Sequence, residues 1–420
     1  MSGSGAAVRA EDVLPLRRNR DFLLLWSGAA VSFLGSRVNA LSYPLLVLWH
    51  TDSPLAMSTV SIAALLPQLL VQLPAGALVD RWDRRRVMVL CEAGRFLALG
   101  SVAVVLVAGG FSLAHLVLVA CTESTLAVFY RLAERGAVRN VVHPAQLRTA
   151  LSRNEARGRA AGLFGQPGGV LLQALARWAP FAFTALGYLA SLIALLLIRK
   201  DFQERRTPAR PDLRHEVAHG LGWLLAQRFL RAALGYLSVG NLLLQVVPLA
   251  LVVLIKDDGH DKALLAVVVG LGGLGGVLGA LSGGWWERRF RLRTVFVGGL
   301  TTWAVLVLAM ARTHAPVALG ALFAGTGFVG SVFNVVGAVH QVRITPDALQ
   351  GRVVGTVYLL GSGANVLGPL LGGLTLQAWG GTPTLVVIGG LLAVLAVAAA
   401  LSRALHHDDD PVPGTPRSRE

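Results

Sequence analysis

The chain has 420 residues, a formal charge of +15 at neutral pH and an isoelectric point near 11.2, a basicity that by itself would suit a nucleic-acid binder. Yet 54% of the residues are hydrophobic, mean hydropathy is +0.61 and only 15% are charged, against about 25% in a soluble domain. Runs such as "TALGYLASLIALLLI" and "TLVVIGGLLAVLAVAAAL" approach the ~20 residues a bilayer requires, and many such runs cannot all be cores of one soluble fold. The reading that remains is an all-α membrane protein.

Taken in chain order, "MSGSGAAVRAEDVLPLRRNRDF" is polar and basic, and no small-residue cleavage site follows the first apolar run. Apolar runs and turn signals then predict about twelve spans, at 22–49, 55–79, 87–108, 113–137, 149–173, 179–199, 231–255, 263–285, 294–311, 316–340, 352–376 and 383–403. Basic residues crowd alternate loops: Arg17, Arg18 and Arg20 before span one, residues 81–86 after span two, and Arg135, Arg139 and Arg148 after span four. Further clusters follow spans six and eight, while "HTDSP", "AGGFS" and "QAWGGTP" carry no positive charge. Arg177, Lys256, Lys262 and Arg312 are the exceptions. The positive-inside rule places both termini in the cytoplasm. Charges scattered over many short loops also argue against a nucleic-acid partner.

The predicted organisation is a cytoplasmic segment at 1–21, a six-helix half at 22–199, a cytoplasmic linker at 200–230, a second six-helix half at 231–404 and a disordered tail at 405–420. Within the linker, "LRHEVAHGLGWLLAQRFL" has the spacing of an interfacial helix. Cys91 and Cys121 both lie in apolar runs and are expected to be small buried hydrophobes, with no disulfide or metal role.

The two halves repeat at an offset of about 202 to 207 residues. Pro44 of "YPLLVL" meets Pro248 of "VPLALVVL", and "GALVDRWDRRR" meets "GGWWERRFRLR", aligning Asp80 with Glu287, Arg81 with Arg288 and Arg86 with Arg293. "GQPGGVLLQAL" loosely meets "GPLLGGLTLQAW". Six spans leave the copies in the same orientation, and two six-helix, pseudo-symmetric halves are a transporter architecture.

With Gly76, Asp80, Arg81, Arg84 and Arg85, the loop after span two resembles the signature loop of the major facilitator superfamily. "LPQLLVQLPAGALVDRWDRRRVM" and "LAERGAV" further resemble its bacterial drug- and siderophore-exporter branch, with macrolide-efflux-like and enterobactin-exporter-like members. The resemblance implies a secondary transporter of the bacterial cytoplasmic membrane, acting as a monomer by alternating access. In that arrangement Asp80 faces the start of span eleven and Arg352, and Glu287 faces the start of span five near Arg153 and Arg157. These contacts, with Gly76 easing helix approach and Arg288 beside Glu287, form a conformational latch on the cytoplasmic side. A topology anchor accounts for the arginines equally well, though not for an acid recurring in both halves.

Ionisable groups deep in a bilayer each cost about 2.5–3.5 kcal/mol, so each requires a reason. Arg37 in span one and Glu123 in span four are both far from the span ends, and the resemblance brings both spans to a cavity. They are expected to pair directly or to share a wet cavity. A carboxyl there takes up a proton when unpaired, and an Arg that alternates with substrate as its partner makes a proton-coupling element. A static ion pair is the alternative. Span five carries Pro167 in "GLFGQPGG", where related antiporters have Gly-Pro, while Gly368 and Pro369 keep that pair in span eleven. Both are bend and packing sites.

Asn39, Tyr43, Asn241, Gln245, Asn334 and Asn365 are the candidate substrate-cavity residues, few enough to point to an amphipathic small molecule. No Gly-Lys-Ser/Thr phosphate loop, His-Glu-x-x-His or Ser-His-Asp pattern stands out, so no enzyme activity, cofactor or metal is expected. "GLGGLGG" at 270–276 lies inside span eight, where small residues serve packing. The expected activity is export of a drug- or siderophore-like solute by proton antiport. The alternatives are an importer or uncoupled facilitator, or a non-transporting membrane sensor or scaffold.

Overall fold

A computed structural model describes residues 15–79, 81–198, 202, 222, 228–344 and 350–402. Among these the regular structure is helical: α1 (Arg20–Thr51), α2 (Pro54–Leu70), α3 (Gln72–Val79), α4 (Arg84–Val107), α5 (Leu113–Val141), α6 (Leu147–Leu175), α7 (Ala179–Leu197), α8 (Arg228–Leu244), α9 (Val246–Asp257), α10 (Lys262–Arg289), α11 (Leu292–Met310), α12 (Pro316–Ile344), α13 (Gln350–Trp379) and α14 (Gly381–Leu401). Nine described segments are long and apolar enough to cross a membrane. The predicted spans at 55–79, 149–173 and 352–376 are not among them. The first is broken in two, and α6 carries Arg148, Arg153, Glu155, Arg157 and Arg159 along its first turns.

Prolines set the breaks. α2 ends at Leu70 and α8 at Leu244, each four residues before a proline, Pro74 and Pro248. A proline has no N–H to donate to that carbonyl and its ring crowds it, so the chain steps and a new helix starts. Pro44, Pro167 and Pro369 sit inside unbroken helices. The starts of several helices are capped as their sequences predict: Asp83 accepts from Arg86 N at 2.8 Å, and Ser112 and Asp261 likewise cap α5 and α10. The tight turn from α4 to α5 uses Gly109 at φ 81°, where a side chain would be strained.

By contact the chain divides into Met1–Tyr43 with Leu66–Ala209, and Pro44–Leu65 with Arg210–Glu420. In the first unit α4 packs against α5 and α7. Phe22, Leu25, Val87, Met88, Cys91, Ala133, Ala137 and Leu195 belong to one buried apolar cluster at the end of this unit where α4 begins and α5 ends. Cys121 departs from expectation: it is exposed on α5, while Cys91 is buried.

In the second unit the glycine stripe of α10 lies against α12. A Cβ on Gly275 would meet the carbonyl of Ala324, and one on Gly279 that of Phe328, so only glycine lets these backbones approach. The same unit holds the end of α1. Lys256 donates to the Leu48 carbonyl at 3.0 Å and pairs with Asp52, while Ser53 Oγ donates to Gln377 at 3.2 Å. Trp49 lies beside Lys256 and Lys262, with the two ammonium groups 5.8 and 5.3 Å from its ring centroid. Two of the four loop cations that broke the charge rule therefore have local partners.

The repeat is visible in this packing. Gly165 and Gly169 of α6 press on Arg37, Val38 and Ser42 of α1, as Gly368 and Gly372 of α13 press on Leu242, Gln245 and Val246 of α8 and α9. Arg85 donates to the carbonyl of Leu196 near the end of α7 at 3.2 Å, and Arg293 to that of Ala400 near the end of α14 at 2.9 Å. Cations at helix C-termini are placed favourably against the exposed carbonyls.

Candidate functional site

The most charged buried cluster described in the first unit joins α1, α4, α5 and α7. Arg95 lies about twelve residues before the α4–α5 turn and Glu123 about ten after α5 begins. At 1.5 Å per residue the two depths agree within about 3 Å. Arg95 Nη2 donates to Glu123 Oε1 at 2.9 Å, to Tyr188 OH at 2.7 Å and to Ser36 Oγ at 2.6 Å, and Nη1 donates to Ser32 Oγ at 2.9 Å. Tyr188 in turn donates to Glu123 Oε1 at 2.6 Å, and its ring centroid lies 3.9 Å from the guanidinium carbon. A second carboxylate, Glu92, sits one helical turn before Arg95, with Oε1 at 3.5 Å from Nη1 and accepting from Ser191 at 3.2 Å. Arg95 is 2% exposed, Glu123 6% and Glu92 0%.

Sequence reasoning named Glu123 but gave it Arg37 as neighbour. The partners found are Arg95, Ser36 and Tyr188. Arg37 follows Ser36 directly and so points about 100° further round the helix. Its guanidinium lies 5.0 Å from the Phe33 ring centroid, and its Cβ is at the contact with Gly165 of α6. Arg95 and Glu92 are not among the candidate residues that the sequence singles out. The missed signal was depth, since Arg95 lies near the middle of α4 in the apolar phrase "CEAGRFLALG".

The internal repeat makes the cluster more telling. Counted from the helix starts, the register moves one residue past the sequence alignment of Arg86 with Arg293 and pairs Arg85 with Arg293 instead. In that register Arg95 is the twelfth residue of α4 and Trp303 the twelfth of α11, while Glu123 and Thr326 are each the eleventh of the helix that follows. Trp303 Nε1 donates to the Thr326 carbonyl at 3.0 Å, and its ring meets Phe333 edge-on at 4.9 Å. Glu92 corresponds to Leu300, which is fully buried. Ser36 corresponds to Gly240, where an added Cβ would touch Trp303 and Leu300. One architecture thus holds charge in the first unit and aromatic and aliphatic groups in the second.

The remaining candidates are scattered. A Cβ on Gly76 would have no described atom within 4 Å, so among the described residues it makes no close helix contact. Asp80 and the side chain of Arg352 lie outside the described residues, as do most of the predicted linker helix and the tail. Arg81 is exposed, Arg84 packs over Gly136 of α5, and Arg85 caps α7 as described above. Glu287 and Arg157, expected to face each other across the halves, each have a partner within their own unit. Glu287 pairs with Arg343 at 2.7 Å, while Arg157 pairs with Glu134 at 2.7 Å. Each acid has taken a cation within its own unit, and Arg288 is exposed.

Asn39 is buried and accepts from Thr184 at 3.3 Å, and Tyr43 is buried against Phe181 with ring centroids 5.3 Å apart. In the second unit Asn241 and Asn334 are exposed, and Gln245 and Asn365 half-buried. Among the described residues no group of His, Cys, Asp and Glu side chains could hold a metal ion.

Nine described segments long and apolar enough to cross a membrane, in a chain whose helices repeat, define a multi-pass membrane protein, and the family match makes it a transporter. Residues 11–415 match the family described as transmembrane secretion effector, and the chain belongs to that family, within the major facilitator superfamily. It is 26% identical over 398 residues to the uncharacterised MFS-type transporter YfiS of Bacillus subtilis, covering 91% of this chain and 93% of that one. It is also 26% identical to the multidrug efflux pump Tap of Mycolicibacterium fortuitum, over 92% and 97% of the two chains. Among solved structures, a mutant of the nucleoside transporter NupG matches with TM-score 0.74 at 12% identity, over 91% of this chain and 99% of that one. An inward-facing bacterial homologue of the lysosomal transporter Spinster matches with TM-score 0.72 at 15%, over 93% and 98%. These likenesses show the fold.

Proposed function

We propose that this protein exports an amphipathic small molecule across the cytoplasmic membrane by alternating access, driven by proton antiport. The observation that carries this reading is the Glu92–Arg95–Glu123 cluster. Buried ion pairs contribute little net stability and are often replaceable by apolar groups. The second unit makes that replacement at the same positions with Leu300, Trp303 and Thr326. The fold therefore does not require charge there, which favours a coupling role over a static ion pair.

Efflux of drugs is in the name of the Tap relatives, and the polar groups Asn241 and Asn334, exposed among apolar neighbours, suit a solute with few hydrogen-bonding groups. In this reading the chain has twelve spans in two six-helix halves and works as a monomer, with both termini cytoplasmic. The inner latch is left to Asp80 and Arg352, since Glu287, Arg84 and Arg85 are engaged within their own units. Asp80→Asn should then raise the accessibility of cysteine probes from the cytoplasmic side, and unchanged accessibility removes the latch.

The test of transport is efflux of a panel of lipophilic dyes and antibiotics from cells expressing the protein, with and without a protonophore. Export that collapses with the protonophore supports proton antiport. Export that survives it removes the proton as the driving ion, and uptake in place of export removes the direction.

A further inference from the structure

Two carboxylates and one guanidinium share the buried cluster, so with all three ionised it holds a surplus negative charge. The hydrogen bonds say where the surplus sits. Arg95 gives its short bonds to Glu123, Tyr188, Ser36 and Ser32, and reaches Glu92 only at 3.5 Å. Glu123 is further satisfied by Tyr188. Glu92 has one oxygen held by Ser191, while its other oxygen, Oε2, is buried with no hydrogen-bond partner. Among the described residues, Arg95 is the cation that acts on it. Ser32 faces it from α1, Cys91 and Arg95 from α4, Ser191 from α7 and, through Ser191, Tyr130 from α5. The nearby Glu134 is already matched by Arg157. A surplus charge fully out of water is neutralised most cheaply by binding a proton.

We propose that Glu92 carries the exchangeable proton of this cluster and that Arg95 reports its presence to α1; this rests on the proton-antiport reading above. With the proton bound, Glu92 is a neutral carboxylic acid and the guanidinium stays on Glu123, Ser32 and Ser36. When the proton leaves to water, Glu92 becomes a carboxylate and Nη1 is drawn from Ser32 across the 3.5 Å gap to Oε1. Arg95 Nε has no hydrogen-bond partner to hold the group in its present orientation. Ser32 and Ser36 both belong to α1, which, like α2, has its two ends in different contact units. Loading and unloading Glu92 therefore fastens and frees α1 at Ser32 and Ser36.

The test is infrared spectroscopy of the purified full-length protein in detergent at neutral pH, read in the carbonyl stretch of protonated carboxyl groups. The wild type should show the band of a buried carboxylic acid. Glu92→Gln and Glu123→Gln should each abolish it, because either change removes the surplus charge. The position of the proton is read from two further variants. Ser191→Ala should shift the band, since Ser191 bonds to Glu92, and Tyr188→Phe, which touches Glu123, should leave it in place. Ser191→Cys, a weaker donor of similar size, serves if the alanine variant does not fold. No band in the wild type, or any other pattern of shifts, overturns the assignment. Protonophore-sensitive efflux without the band would remove this inference and leave the transport reading standing; the band without efflux would do the reverse.

Discussion

Arg95 and Trp303 occupy the same place in the two copies of the repeat: each is the twelfth residue of its helix, each is almost wholly buried, and each donates a hydrogen bond to the eleventh residue of the next helix. Their surroundings have diverged together, with Ser36 against Gly240, Glu92 against Leu300 and Glu123 against Thr326. The second unit thus acts as a built-in control on the first.

That control predicts how the cluster responds to mutation. Arg95→Met should destabilise the protein by about 3–5 kcal/mol, because Glu123 is left as an uncompensated buried charge. Combining Arg95→Trp, Glu92→Leu and Glu123→Thr borrows the second unit's residues and should recover most of that loss while abolishing proton-driven transport. Thermal unfolding in detergent, alongside dye efflux, reads both. A triple variant as unstable as Arg95→Met would show that the two sites are not structurally interchangeable.

The glycine stripe gives a sharper local contrast. Gly275→Ala places a methyl group on the Ala324 carbonyl and should cost about 1–3 kcal/mol or more. Gly276→Ala meets nothing closer than Ser331 Oγ at 3.4 Å and should be nearly neutral. The yield of monodisperse protein on size-exclusion chromatography separates the two, and equal yields would remove the close α10–α12 contact.

Arg85→Ala and Arg293→Ala should each cost about 0.3–1 kcal/mol, since both remove a cation from the carbonyls near a helix end. The melting temperatures of the two variants in detergent measure this directly. A large loss in one and none in the other would break the equivalence of the two contacts.

Lys256→Gln removes the charge that holds Asp52 and weakens the bond to the Leu48 carbonyl. Exposed ion pairs contribute about 0.2–1 kcal/mol, so a cysteine at Ser53 in a Cys121→Ser background should label up to about 5-fold faster with a membrane-impermeant thiol reagent. An unchanged labelling rate would mean that Ser53–Gln377 and the neighbouring packing hold this end of α1 unaided.

Much of the fold was legible because its signals are local or additive. The apolar runs locate most helices, whereas the spans expected at 55–79 and 231–255 are each broken, four residues before Pro74 and Pro248. The repeat was readable too, because Pro44 and Pro248 keep one offset with the glycines of α6 and α13. Cys121 was misplaced because an apolar run does not say which of its faces meets lipid.

The sequence by itself determined that this is a duplicated, multi-span membrane protein, which follows from composition, hydropathy and order along the chain; the transporter role came from the resemblance of the loop after span two. Only the tertiary structure decided which ionisable groups meet. Arg37 and Arg95 are equally improbable in an apolar segment, and depth counted along the chain makes Arg95 a candidate partner of Glu123 without showing that the two side chains meet. The choice rests on a rotation of about 100° per residue around α1 and on matched depths in the antiparallel pair α4 and α5. The same holds for Glu287, whose partner within its own unit is Arg343 on the neighbouring helix. Charges pair over a few ångströms, and distances of that scale between helices are set by packing.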